Sequence, residues 1–197
     1  MNNKEKMLNG LVYDGTKDGL SEERIHTWTL IQKYNKIPVN NIDALDNLAK
    51  VILGSTGNKI RIKPPFYCDY GYNIHVGENF FANYNLTILD TANISIGDNV
   101  KIGPNVNIYA ACHPIDGDLR ASGIEFSKSV TIGNNVWIGG NTVVNPGVVI
   151  GDNTVIGSGS VVTKNIPDNV VAAGNPCKII RLITEHDKIY YNKNKKY

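Results

Sequence analysis

The chain has 197 residues, of which 19% are charged and 42% hydrophobic, and its formal net charge is +2. This reads as one soluble domain with attachments, and nothing in the charge demands nucleic acid or an anionic membrane as partner. No apolar run approaches the roughly 20 residues that span a bilayer, and the opening Met1-Asn-Asn-Lys-Glu-Lys lacks the apolar centre of a signal peptide, so a cytoplasmic location is expected.

Three cysteines, Cys68, Cys112 and Cys177, are odd in number and far apart. They read as reduced thiols. The Asn-x-Ser/Thr sequences at Asn85 and Asn93 then read as chance matches.

Residues 1–57 are expected to form a helical extension. Ser21-Glu-Glu opens a helix, because serine can cap and acids suit the positive end of the helix dipole. Ile25, Trp28 and Ile31, with Leu30 and Tyr34, carry helical spacing, and Pro38 ends it. A second helix begins at Asn41, with Ile42, Leu45, Leu48 and Ile52 on one face and a stop at Gly54. Such helices would cover the open end of a coil stack.

From Ile60 the pattern becomes strand-like, and from residue 94 it settles into sixes. Ile94-Ser-Ile-Gly-Asp-Asn, Val100-Lys-Ile-Gly-Pro-Asn, Val130-Thr-Ile-Gly-Asn-Asn and Val136-Trp-Ile-Gly-Gly-Asn are four of the units. Small or β-branched residues recur at each unit's first place, and Ile or Val two places later. Residues two apart in a strand share a face, so both apolar positions point inward. The following Gly or Asn turns the chain, since both tolerate positive φ. Three hexads make one triangular coil of eighteen residues, and the period is a solenoid signature. The expected architecture is an all-β solenoid over 58–182, with two extra residues near 91 and 92 shifting the register.

Residues 112–129 interrupt the pattern for eighteen residues, so the phase resumes unchanged at Val130. Pro, two Gly, Ser and mixed charges mark this as a protruding loop, and long loops in compact repeats are usually functional. A short helix at 184–191 and a frayed tail from 192 are expected to close the chain, within a C-terminal unit of 183–197.

Of four histidines, His26 reads as a surface residue, His75 faces outward between inward-pointing Ile74 and Val76, and His186 lies in the tail. His113 stands at the root of the loop, where the regular coil ends, and is the candidate for chemistry.

The segments Cys68-Asp-Tyr-Gly-Tyr-Asn-Ile, Ala82-Asn-Tyr-Asn, His113-Pro-Ile-Asp, Ser122-Gly-Ile-Glu, Ile132-Gly-Asn-Asn-Val-Trp-Ile-Gly-Gly and Val170-Val-Ala-Ala-Gly-Asn-Pro resemble the maltose/galactoside O-acetyltransferases. The likeness runs from about residue 5 to 190 and includes the helical extension. It implies a left-handed parallel β-helix of hexapeptide repeats, a homotrimer with active sites between neighbouring solenoids, and acetyl-CoA as co-substrate. It makes His113 the general base and Gly140 the N–H donor to the oxyanion. Asn83, Asp69 and Glu125 would contact the acceptor sugar, with Asp14 as a looser match that Asp18 rivals. On the CoA side it assigns Trp137, Gly140, Ser158 and Thr163, with Lys164, Lys178 and Arg181 toward the phosphates. Acidic residues at 69 and 125 match the maltose-type branch; the galactoside type has non-acidic residues at both.

Cysteine catalysis is disfavoured, since Cys112 and His113 are neighbours in an extended segment and point to opposite sides. A zinc hydrolase on the same helix would need a second His in the loop, and positions 114–129 hold none, so no catalytic metal is expected. Two alternatives stay open. One is N-acetyl transfer to an amino sugar or other amine. The other is a solenoid scaffold without catalysis.

Overall fold

Strands of two to four residues fall on the hexads and wind into a β-solenoid of about six turns. A computed structural model describes residues 1–192 and 195–196. Parallel strands stack into sheets of seven, five and four strands, the three walls of a prism.

Register follows the hexads. Val130 pairs with Ile94 and Ile132 with Ile96, so the eighteen-residue loop leaves the stacking phase intact. Ile74 pairs with Ile94 and Ile60 with Phe80, steps of twenty residues that absorb two extra residues per early coil. Later steps shorten to eighteen, from Ile132 to Ile150, and then to sixteen, from Val155 to Val171. Both apolar positions of each hexad point inward. Ile94, Ile96, Val100, Ile102, Val130 and Ile132 are all at most 4% exposed. Each such side chain contributes about 1.5–3 kcal/mol against exposure, which is how two-residue strands hold without length.

Gly and Asn at the turns have different roles. Asn79, Asn99 and Asn135 occupy the left-handed region at φ 55°, 58° and 56°. Their amides form a ladder, Asn79 Nδ2 donating to Asn99 Oδ1 at 3.0 Å and Asn99 Nδ2 to Asn135 Oδ1 at 3.1 Å. Gly97, Gly133 and Gly151 are not among the positive-φ residues. They are glycine because the next coil leaves no room. A Cβ on Gly133 would lie 2.2 Å from Asp152 Oδ1 and 2.8 Å from Asp152 N. The crowding has a purpose: Asp152 Oδ1 accepts the Asn134 N–H at 2.6 Å, and Asp168 Oδ1 accepts the Asp152 N–H at 2.7 Å.

Three helices precede the coils: α1 (Asn3–Leu8), α2 (Leu20–Asn35) and α3 (Ile42–Ile52). The sequence pattern does not reveal α1, which a capping box between Asn2 and Glu5 closes. α2 starts one residue before Ser21, with Gly19 at φ 83° as its N-cap and no side-chain cap, so Ser21 sits inside the first turn. Its buried face is Leu20, Thr27, Ile31 and Tyr34, while Ile25 and Trp28 are 57% and 47% exposed. The Tyr34 hydroxyl donates to the Ile62 carbonyl, and its ring meets Phe66 edge-on at 6.2 Å. These contacts fasten α2 to the first coil. Asn41 caps α3, and Arg61 ties it down through two bonds to Asp46 at 2.9 and 3.0 Å.

At the far end α5 of the chain, counted after the loop helix α4 (Gly117–Ala121), spans Glu185–Ile189. Beyond it Tyr190–Asn192 pairs antiparallel with Lys195–Lys196. The expectation of a frayed tail at 193, 194 and 197 lies outside the described residues. No helix among the described residues is long and apolar enough to cross a membrane.

Gly133→Ala should lower stability by about 1–3 kcal/mol, the scale of overpacking. Gly117→Ala, with nothing within 4 Å of its added Cβ, should change it by less than about 0.5 kcal/mol. Calorimetry of both variants checks this, and equal melting temperatures would contradict the stacking account.

Candidate active site

Two edges of the prism carry the candidate chemistry. At the edge between the five- and four-stranded sheets, Asp69 follows strand Phe66–Cys68 and Asp90 follows Leu86–Leu89. On the next coil the loop departs through Ala111–Cys112 and returns as strand Ile124–Ser127. The two pair antiparallel, Ala111 with Ser127 and Cys112 with Phe126. Tyr13–Asp14 pairs on the other side, Tyr13 with Glu125 and Asp14 with Ile124. The N-terminal extension thus does more than cover the coil end: it supplies the third strand of the sheet that holds the loop.

This sheet brings Glu125 toward Asp69. The Tyr13 hydroxyl donates to Glu125 Oε2 at 2.7 Å. Arg24, on α2, donates from Nη1 to the Tyr70 hydroxyl and from Nη2 to the Gly15 carbonyl, both at 2.8 Å. Asp69 feels both charges. Its carboxyl is pushed up to about 6, chiefly by burial and further by Glu125, while Arg24 opposes the rise. Arg24 belongs to this cluster, and the sequence pattern does not single it out. The available signal was its place in the buried stripe of α2, four residues after Leu20 and three before Thr27.

Asp14 lies beside the cluster through its backbone, but its carboxylate faces Thr16, accepting from N at 2.9 Å and Oγ1 at 2.6 Å. These bonds hold it below the usual carboxylate range. Its rival Asp18 accepts from Asn3 at 2.7 and 2.9 Å. His113 is exposed at the loop root and makes no hydrogen bond among the described residues. Burial raises the Cys112 thiol, which disfavours a thiolate there. His75 touches Ser55 across the four-stranded wall, Nδ1 to Oγ at 2.9 Å, and His186 stacks on Tyr190. Among the described residues no group of three His, Cys, Asp or Glu is placed to hold a metal ion.

The edge between the seven- and five-stranded sheets carries a groove of about 360 Å³ lined by Asn83, Gly103, Pro104, Trp137, Gly140 and Ser158 among others. Trp137 stands outward, 56% exposed, between Lys101 and Val155 in register. A Cβ at Gly140 would meet the Pro104 carbonyl at 3.0 Å. The Gly140 N–H has no acceptor among the described residues. Thr163 and Lys164 lie in the exposed turn after Val161–Val162. Lys178 and Arg181 belong to the strand Lys178–Leu182, which closes the seven-stranded sheet antiparallel to Val170–Ala173. Arg181 is engaged, donating from both terminal nitrogens to Asp187 at 2.8 Å.

Within one chain the two edges stay apart. The expected pocket between Asp14, Asp69, Asn83 and Glu125 therefore lacks Asn83, which follows a strand of the seven-stranded wall and turns at another corner.

Because burial raises the Asp69 carboxyl in the folded chain, that carboxyl binds more protons folded than unfolded over the interval from its ordinary value to about 6. Wild-type stability should fall with rising pH there. Asp69→Asn removes the titration, so it should gain in melting temperature relative to wild type between about pH 4 and 7. A constant difference across that interval would contradict the buried position.

Residues 6–57 match the family described as maltose acetyltransferase hexapeptide capping motif, and residues 129–164 match bacterial transferase hexapeptide (six repeats). The galactoside O-acetyltransferase of Escherichia coli is 47% identical over 98% of this chain and 95% of its own length. A maltose O-acetyltransferase structure from Clostridium difficile superposes with a TM-score of 0.92 at 51% identity, covering 94% of this chain and 99% of that one. A galactoside acetyltransferase in complex with coenzyme A gives a TM-score of 0.96 at 46% identity, covering 100% and 98%. The capping motif covers the strand that carries Tyr13 and the helix that carries Arg24, the hexapeptides fall on the groove wall, and the likeness spans the whole chain: it belongs to the galactoside/maltose O-acetyltransferase family of hexapeptide acetyltransferases.

Proposed function

We propose that the protein transfers acetyl from acetyl-CoA to a hydroxyl of a glucosyl sugar, with His113 as general base, at sites formed between subunits of a homotrimer. One observation carries this reading: the acid cluster with His113 lies on one edge of the prism, and Asn83 with the Gly140 N–H lies on another. Each edge is half a site, and a threefold ring lets one chain's first edge meet its neighbour's second. Outward residues on two walls favour such contact. Phe81, Trp137 and Val155, with Arg61 and Lys101, stand on the seven-stranded wall and Tyr67, Val143 and Val161, with Thr87 and Asn107, on the five-stranded one, whereas the four-stranded wall shows His75, Ser95 and Thr131 beside Val149.

The chemistry follows from these groups. A sugar hydroxyl is too weakly acidic to attack a thioester unaided at neutral pH. His113 takes its proton as the oxygen bonds to the acetyl carbonyl, and the Gly140 N–H donates to the oxyanion. The tetrahedral intermediate then collapses, expelling the CoA sulfur, which recovers the proton from the imidazolium. Asp69, Glu125 and Arg24 face the acceptor as partners for several hydroxyls, joined by Asn83 across the interface and Asp14 at the margin. Lys164 and Lys178 are free to meet CoA phosphates, and Arg181 joins them on release from Asp187. Trp137 packs against the bound CoA or the neighbouring wall. A cytoplasmic location accords with three unpaired cysteines.

One extra hydrogen bond is worth about 0.5–1.5 kcal/mol, so a polar pocket of this kind accepts several sugars. Maltose and glucose should be acetylated with weaker use of galactosides, and every neutral sugar should outrun amines. Thiol release with an acceptor panel reads this directly. Amines ahead by more than about tenfold would replace the assignment with N-acetyl transfer, and no turnover with any acceptor would favour a scaffold.

His113→Ala should lower kcat/KM by roughly 10²–10⁴-fold, with CoA affinity and trimer mass unchanged. A loss of only tens of percent would remove His113 from the base role.

A further inference from the structure

Asp90 is the one fully buried carboxyl among the described residues, and the mechanism makes no use of it. Its Oδ1 accepts two backbone N–H groups of the coil below, Asp69 N at 3.0 Å and Tyr70 N at 2.9 Å. Its own carbonyl accepts from Asn73 Nδ2 at 2.7 Å. One residue therefore clamps both ends of the turn at 69–73. That turn presents the Asp69 carboxyl, and it presents the Tyr70 hydroxyl that holds Arg24. Asp90 Oδ2 is enclosed and has no hydrogen-bond partner among the described residues.

We propose that Asp90 is a positioning residue for the acceptor site, a buried neutral acid that fixes the Asp69–Tyr70 turn so that Asp69 and Arg24 face the sugar in one geometry. Enclosure favours the neutral form, and the unpartnered Oδ2 leaves a charge there without compensation. An ionised carboxylate with one enclosed, unpaired oxygen costs far more than an uncharged acid in the same place. Burial pushes its carboxyl up to about 7 against the clamp bonds from the Tyr70 and Asp69 N–H groups, which lower it, and the Asp69 charge adds to the rise. Cys68, Asp69, Tyr70 and Tyr72 are the titratable groups around it on its own and the neighbouring coil. Arg24 from α2 and Glu125 from the loop strand act on Asp69. Above neutrality Asp90 ionises and sets a second negative charge beside Asp69, which weakens the acceptor geometry.

The inference rests on the acceptor role proposed for Asp69. Steady-state kinetics of wild type, Asp90→Ala and Asp90→Asn, with maltose and acetyl-CoA each varied, test it. Asp90→Ala loses both clamp bonds and should raise the acceptor KM by about tenfold or more, leaving the acetyl-CoA KM unchanged. Asp90→Asn keeps an Oδ1 acceptor and no charge, so it should return the acceptor KM to near wild type. It should also remove the rise in acceptor KM that wild type shows between about pH 6.5 and 8. If Asp90→Ala does not fold, the flattened profile of Asp90→Asn decides alone. Equal effects of Asp90→Ala on both KM values, an Asn variant as impaired as the Ala one, or an unflattened profile would overturn the proposal. The split is read with whichever acceptor the enzyme uses, so failure of the sugar assignment is distinguishable from failure of the clamp.

Discussion

The structure depends on how closely the coils stack at their corners. Strands of two or three residues cannot hold themselves, so each coil must lock onto the next. The lock is the backbone N–H of one corner entering the side-chain oxygen of the corner above, as Asn134 does with Asp152 and Asp152 with Asp168. That approach leaves no space for a Cβ at Gly133 or Gly151. Inward Ile and Val supply the driving force, and the corners supply the register.

Fixed corners make straight edges, and the edges are where chemistry collects. A residue at a given place in the coil recurs at the same edge coil after coil. Asp69, Asp90 and the loop root share one edge; Asn83, Pro104, Gly140 and Ser158 share another. The solenoid therefore separates an acidic, hydrogen-bonded edge from an open groove whose Gly140 N–H has no acceptor among the described residues. The loop and the N-terminal strand are the departures from the repeat, and both serve the first edge: Glu125 arrives by one and Tyr13 by the other.

Much of this was legible in the sequence because period six is a strong constraint. The inward columns, the unchanged phase across the loop and the role of Asn at the corners all follow from it. The reason for Gly at 97, 133 and 151 was not legible, since it arises from a neighbouring coil and not from local φ. The face of α2 was legible only in part. Ile31 and Tyr34 are buried as their spacing implies, whereas Ile25 and Trp28 stand exposed and Leu20 and Thr27 are buried instead. Arg24 and Asp90 escaped notice because their importance lies in partners 46 and 20 residues away in sequence. Asn83 was placed with Asp69 because sequence order does not say which corner a residue turns.

The central claim is that one active site takes His113 from one chain and Asn83 from its neighbour. Complementation measures it most directly. His113→Ala and Asn83→Ala chains, each strongly impaired alone, are co-expressed and the mixed trimers purified and assayed. A ring that holds both kinds of chain sets an intact His113 opposite an intact Asn83 at one of its three interfaces, so activity should return to about a third of wild type. Mixed trimers no more active than their parents would contradict a shared site.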